Sequence, residues 1–270
     1  MSLSLFSYVG SKRKDIKFYE KHIPDPQKIK VSIEPFGGGG YTSLYLFSKN
    51  DKIKSIVNDT DEVLINFFNQ LKTNFDIIVD AVNKLIEQFP SKEQYKDLVK
   101  EYKENKGDNL RRAILYLFMS KFHGLRLFLY PVPSRKIGTI DKTKYTIFKN
   151  WLKNTEFNLK DYSETFNDIH KLNNNGVFVF LDPPYLTSFN AYYSCYKESK
   201  DKDKNLLDNT KMYIDIVDFL KSSNKHTIFI INKNSITEYL YKKYIKDEYN
   251  KMYSLTQNKD ICLIIGKNIL

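Results

Sequence analysis

The feature that most restricts this chain is a strand that runs into four glycines and straight out into a helix. Residues 31–36, Val-Ser-Ile-Glu-Pro-Phe, alternate as a strand does; Gly37 to Gly40 follow at once, and Leu44-Tyr45-Leu46-Phe47 then read as helix. A second such unit comes next. Ser55-Ile56-Val57 ends in Asn58-Asp59 and leads into Val63-Leu64-Ile65-Asn66-Phe67-Phe68, whose continuous apolar character suits a buried helix. Two strand-turn-helix units in succession imply a parallel sheet with right-handed crossovers. Strand-like runs return at 176–181 (Gly-Val-Phe-Val-Phe-Leu), 227–231 (Thr-Ile-Phe-Ile-Ile) and 261–265 (Ile-Cys-Leu-Ile-Ile). Their uninterrupted apolar character belongs to strands covered on both faces.

Between these groups the pattern changes. Residues 76–106 set Ile77, Ile78, Ala81, Val82, Leu85 and Ile86 among lysines and glutamates and predict helices. Arg111 to Phe122 is apolar nearly all round, as for a helix buried on most sides. Residues 121–144 then hold six lysines and arginines against the single acid Asp141, and predict an irregular basic loop region. The polar stretch Lys197 to Lys204 is expected to be a loop. The expected architecture is a doubly wound α/β catalytic domain made of residues 1–66 and 159–270, interrupted at 67–158 by a mostly helical, basic insertion.

At 270 residues the chain is long enough for one large domain or for a domain carrying an inserted one. Its formal charge of +11 favours a polyanionic partner, because lysine and arginine release counterions from a phosphate backbone; a lysine-rich solvated surface accounts for the same number. Cys195 and Cys262 are too few for a disulfide framework and are not spaced for a zinc or redox site. No apolar run approaches the roughly 18 residues of a membrane span, and the start of the chain lacks the pattern of a secretion signal. A soluble, intracellular, monomeric protein is expected.

In a doubly wound sheet, ligands sit beyond the carboxyl ends of the strands. After the strand ending near Leu181 comes Asp182-Pro183-Pro184-Tyr185, where two prolines stiffen the chain while the aspartate and the tyrosine project. An aspartate before proline is also a common turn. The functional reading is specific: an aromatic amine is a poor nucleophile because its lone pair is delocalised into the ring, so a catalyst must hydrogen-bond the amine hydrogens. Asp182 and the carbonyl of Pro183 supply both acceptors, and Tyr185 stacks on the ring, which has to leave a duplex to reach them. Methyl transfer from a sulfonium donor is an in-line displacement in which the positive charge vanishes, so positioning carries the catalysis and no metal is needed. Gly38 and Gly40 let the backbone approach a ligand closely, or merely form a tight connection. Asp59, at the end of the second strand, suits a carboxylate that accepts both hydroxyls of a ribose and equally suits a helix N-cap.

Taken in chain order, these residues resemble the Dam-type family of DNA adenine-N6 methyltransferases. Tyr8-Val9-Gly10-Ser11-Lys12 is similar to the family's N-terminal cofactor motif, an aromatic residue followed by x-Gly-(Gly/Ser)-Lys. Glu34-Pro35-Phe36-Gly37-Gly38-Gly39-Gly40 is similar to its Glu-Pro-Phe-x-Gly-x-Gly loop, and Asn58-Asp59 with Leu64-Ile65-Asn66 to its ribose-binding segment. Asp161-Tyr162 resembles the acidic-aromatic pair near the cofactor's adenine, and Asp182-Pro183-Pro184-Tyr185 is the catalytic motif unaltered. The resemblance implies the Rossmann-like fold of class I S-adenosylmethionine-dependent methyltransferases, with double-stranded DNA as substrate. It implies a cofactor site of Tyr8, Lys12, Phe36, Gly38, Gly40, Asp59, Asp161 and Asp182, and catalysis by Asp182, Pro183, Pro184 and Tyr185.

Departures concentrate in the insertion. Lys121-Phe122-His123-Gly124-Leu125-Arg126 is similar to the family's Phe-Asn-Gly-Leu-x-Arg, with His123 for the asparagine and the arginine one residue early. Tyr130-Pro131-Val132-Pro133-Ser134-Arg135 stands where the family has its Asn-Val-Pro segment. Lys121, Arg126, Arg135 and Lys136 are the expected DNA-binding residues, able to read guanine edges or to hold phosphates. An RNA adenine methyltransferase and a catalytically silent DNA-binding relative are the competing readings. The N-terminal motif and the basic insertion favour duplex DNA over RNA, and intact Asp59, Asp182 and Tyr185 favour an enzyme.

Overall fold

The computed structural model describes residues 3–6, 8, 10–88, 91–104, 107–123, 138–173, 175–184, 202–242, 245–254 and 257–265, with backbone alone at 92, 122–123, 202–209, 236, 245–254 and 257–265. A 3-10 turn at Lys12–Lys14 and the short α1 (Ile16–Tyr19) precede β1 (Val31–Glu34), α2 (Tyr41–Lys49) and β2 (Lys54–Asp59). Helices follow: α3 (Glu62–Gln88), α4 (Lys92–Glu104), α5 (Asn109–His123) and α6 (Thr146–Lys153). The chain then resumes alternation with β3 (Thr155–Leu159), α7 (Tyr162–Lys171), β4 (Val177–Leu181), α8 (Lys202–Ser222), β5 (His226–Asn232) and α9 (Ser235–Tyr241). It closes on β6 (Ile245–Ser254) and β7 (Gln257–Ile265).

Among the described residues, seven strands form one sheet in the order β3-β2-β1-β4-β5-β7-β6. β1 is parallel to β2 and β4, β2 to β3, and β4 to β5; β7 lies antiparallel between β5 and β6. The chain moves outward from β1 to β3 and then returns to place β4 on the other flank of β1. That reversal is a topological switch point, and the connections after β1 and after β4 leave the sheet side by side there. The expected doubly wound, Rossmann-like α/β fold is the fold observed.

Successive residues of the central strands enter different cores, as the apolar runs require. Phe178, Phe180, Ile228 and Ile230 pack with Tyr19, Ile29, Leu46 and Ile53 on one face. Val177, Val179, Leu181, Phe229 and Ile231 meet Phe166, Ile169, Tyr213, Ile216 and Phe219 on the other. Each such side chain contributes about 1.5–3 kcal/mol on burial. A third core joins α2 and β2 to the helices between β2 and β3: Leu44 and Val57 pack with Phe67, Phe68, Leu115, Phe118 and Trp151. Residues 113–119 of α5 are all buried, which is why that helix reads as apolar on every side.

This third core spans position 66/67, and β3 spans 158/159, the two positions at which the composition changes. Helix α3 runs unbroken through residue 66 and bends instead at Asn74, whose φ of −121° and ψ of 28° leave the helical region. Strand β3 begins at Thr155, before residue 159, and pairs with β2 from Ser55 onward. Among the described residues, the helices between β2 and β3 share one core with α2 and β2. Helix α8 likewise starts at Lys202, inside the stretch expected to be a loop. Among the described residues, no helix is long and apolar enough to cross a membrane.

Candidate active site

Four segments of the chain converge on the carboxyl edge of β1, β2 and β4. The first is the glycine loop after β1. Gly38 and Gly40 both adopt positive φ, 47° and 60°, the left-handed region that side chains disfavour. A Cβ at Gly38 would stand 2.9 Å from Cε1 of Tyr8, and one at Gly40 would stand 2.8 Å from Cη2 of Trp151. The loop is therefore pressed between an aromatic ring from the N-terminal segment and another from α6. Phe36, where the loop leaves β1, stacks on Tyr162 at 5.4 Å between centroids and 23° between planes.

Asp59, at the end of β2, reaches back to this loop. Its Oδ2 accepts the Gly38 N–H at 2.9 Å, and its Oδ1 accepts the Asp61 N–H at 2.9 Å. Burial pushes its carboxyl up, and the backbone N–H groups of Gly38, Asp61 and Thr60 oppose that shift. Asp61, not Asp59, caps α3, accepting the N–H groups of Val63 and Leu64 at 2.9 and 3.2 Å. Asp161 does cap a helix: its Oδ1 accepts the Ser163 N–H at 2.9 Å at the start of α7.

At the end of β4, Asp182 forms an ion pair with the Lys12 ammonium, which also donates to the Gly10 carbonyl at 3.0 Å. Lys12 is almost fully buried, with 6% of its side chain exposed, while Asp182 keeps 19%. Pro183 is buried, and the carbonyl of Pro184 accepts the Tyr213 hydroxyl at 3.3 Å, which ties the turn to α8. The structure thus brings Tyr8, Lys12, Phe36, Gly38, Gly40, Asp59, Asp182 and Pro183 to one edge. Tyr185, Arg126, Arg135 and Lys136 lie outside the described residues. Lys121 is placed differently from an exposed phosphate ligand: its ammonium donates to the Leu5 carbonyl and sits 5.8 Å from the centroid of the Tyr145 ring. Burial pushes it down to about 8.

Glu34 is a site residue to which the sequence assigned no role. It is 3% exposed, and its Oε1 accepts the Ser43 N–H at 2.7 Å in the first turn of α2. Burial, with Asp182 nearby adding to it and Lys12 opposing it, pushes its carboxyl up to about 7. The available signal was the glycine at the N-cap of α2, which has no side chain to accept those first-turn N–H groups, so another residue must. Trp151 is the second such residue, wholly buried beneath Gly40 and edge-on to Phe68 and Phe157.

A Rossmann-like sheet with a glycine loop, an acid ending β2 and Asp-Pro-Pro ending β4, all at one switch point, defines a class I methyltransferase. Residues 8–257 match the family described as D12 class N6 adenine-specific DNA methyltransferase. The chain belongs to that family and is a methyltransferase of adenine N6 in DNA that uses S-adenosylmethionine. It is 28% identical over 213 residues to the Type II methyltransferase M.MjaIII of Methanocaldococcus jannaschii, covering 68% of this chain and 71% of that protein. It is 27% identical over 236 residues to the Type II methyltransferase M1.LlaDCHI of Lactococcus lactis subsp. cremoris, covering 81% and 78%. With the DNA adenine methylase of Escherichia coli K12 it shares 24% identity over 205 residues, 71% of this chain and 69% of that one.

Proposed function

We propose that the chain methylates N6 of an adenine flipped out of double-stranded DNA at a specific sequence, with Asp182 and the Pro183 carbonyl as acceptors for the two amine hydrogens. The observation that carries this reading is the pairing of β1 with β4, from Val31 opposite Val177 to Ile33 opposite Val179. It sets the acceptor turn directly beside the glycine loop, so that the amine and the methyl donor have neighbouring places.

When bound, S-adenosylmethionine supplies an electrophilic methyl group. The residues fit such a ligand: positive φ at Gly38 and Gly40 keeps the loop's backbone bare of side chains, and the half-buried carboxylate of Asp59 holds the Gly38 N–H. In this reading Tyr8, Phe36, Gly38, Gly40, Asp59 and Asp161 hold the cofactor. Lys12 orients the Asp182 carboxylate, and the stiff prolines hold that carboxylate and the Pro183 carbonyl at fixed spacing. Two acceptors on one amine draw its hydrogens to one side and leave the nitrogen lone pair facing the opposite side, towards the glycine loop. Tyr185 stacks on the flipped ring, and Arg126, Arg135 and Lys136 meet the DNA.

The test is to incubate the protein and cofactor with long unmethylated DNA and to locate modified bases by single-molecule sequencing. N6-methyladenine at one recurring short sequence is expected. No modification, with the cofactor still bound, would overturn the reading in favour of an RNA substrate or a silent DNA-binding protein.

A further inference from the structure

We propose that Arg13 and Lys14, in the turn that carries Lys12, grip the phosphate backbone of the substrate duplex at the mouth of the active site. The inference rests on the reading that the target base is held at Asp182, and it assigns DNA contacts to a segment far in sequence from the basic insertion. Lys12, Arg13 and Lys14 occupy one 3-10 turn. Its first residue points inward to Asp182, and its other two are exposed. Consecutive Cα atoms lie about 3.8 Å apart, so both exposed cations sit within one turn of the acceptor carboxylate's partner. A flipped nucleotide whose base enters a pocket keeps its sugar and flanking phosphates at the pocket's mouth.

The surroundings of Arg13 extend this surface toward the insertion. Its charge reaches the hydroxyls of both Tyr41, which opens α2, and Tyr145, which precedes α6. The ring of Tyr145 also lies under the Lys121 ammonium. Arg13 thus lies close in charge to Tyr145, whose ring the Lys121 ammonium approaches from α5.

The treatment of charge is also different here. In the neighbouring 142–149 stretch, Lys142, Lys144 and Lys149 are neutralised by Asp80, Asp141 and Asp76. Among the described residues, no carboxylate pairs with Arg13, Lys14 or Lys17. Cations left without an internal counter-charge beside a site for a polyanion lower the free energy of the complex by releasing the polymer's counterions, and they do so without reading sequence.

The experiment measures affinity for a duplex as a function of salt for the wild type, for R13S/K14S, for the charge-preserving R13K/K14R, and for K52S/K54S, which removes two exposed lysines at the opposite edge of the sheet. Loss of two phosphate contacts should lower the slope of log affinity against log salt by about 2 in R13S/K14S, and lower the affinity at least about tenfold at low salt. R13K/K14R and K52S/K54S should keep the wild-type slope, and calorimetric affinity for S-adenosylmethionine should be the same in all four. A wild-type slope in R13S/K14S, or an equal loss in K52S/K54S, would overturn the proposal. Because the readout is binding, a wild type that binds DNA but leaves adenine unmodified would count against the reaction and not against this surface.

Discussion

Lys12 and Asp182, 170 positions apart, form an ion pair that joins the N-terminal turn to the end of β4. Breaking a largely buried pair from one side leaves the other charge without compensation, which costs about 3 kcal/mol. Asp182→Ala should therefore lower both stability and turnover, the latter by at least about 100-fold, the range seen when one such positioned group is removed. Adding Lys12→Met should restore much of the stability and none of the turnover. Denaturant titration and single-turnover methylation on the two variants separate these effects, and recovery of turnover in the double variant would remove Asp182 from the chemistry.

Asp59 holds two half-buried backbone N–H groups, those of Gly38 and Asp61. Asp59→Ala should weaken S-adenosylmethionine binding by about tenfold or more, since leaving such donors unpaired costs about 1–3 kcal/mol and frees Gly38. Affinity for DNA alone should be unchanged. Calorimetry with cofactor and with duplex checks both, and equal weakening of the two would point to general unfolding.

Gly40→Ala places a methyl group against Trp151 in a backbone region alanine disfavours. The combined strain is about 1–3 kcal/mol. Gly40→Ala with Trp151→Phe should recover the steric part and leave the backbone part. Thermal melting of the two single variants and the pair measures the coupling between these residues.

Glu34 gives stability a pH dependence of definite sign. Its carboxyl titrates near the ordinary 4.5 when unfolded and near about 7 when folded, so the folded state holds the proton more tightly. Stability associated with the neutral form is fully present below about 4.5 and is lost as pH rises through 7, by an amount on the order of 3 kcal/mol. Glu34→Gln keeps an acceptor for the Ser43 N–H and carries no charge. Its advantage over the wild type should be small at pH 4.5 and should grow up to pH 8 in denaturant titrations. A constant difference across that range would mean the carboxylate is stabilised by its neighbours.

The sequence disclosed the elements that are buried on both faces and the turns that follow them. Strands β1, β2, β4 and β5 could be read from their apolar runs, and the Gly37–Gly40 and Asp182–Pro184 turns from their composition. Strand β3 escaped because Thr-Glu-Phe-Asn-Leu at the sheet's edge buries only Thr155 and Phe157, too short an alternation to separate from loop. Strand β6, Ile-Lys-Asp-Glu-Tyr-Asn-Lys-Met-Tyr-Ser, escaped because, among the described residues, it ends the sheet beside β7 and is mostly polar. The Lys12 to Asp182 pair and the contact of Trp151 with Gly40 are products of topology. No local pattern encodes a meeting between residues so far apart in sequence. Asp59 lay between these cases, since its place at a strand end was visible but only the structure showed Asp61 taking the capping role.

Trp151 is the chain's one tryptophan, and its indole lies against Gly40. The protein is thus built with a single indole, which can be excited apart from its tyrosines, at the underside of its glycine loop. Emission excited in the indole band reports one location, without labelling and without averaging over other sites. Shifts in its wavelength, lifetime or quenching follow the packing of that loop in real time, and a stopped-flow trace can order the arrival of cofactor and duplex.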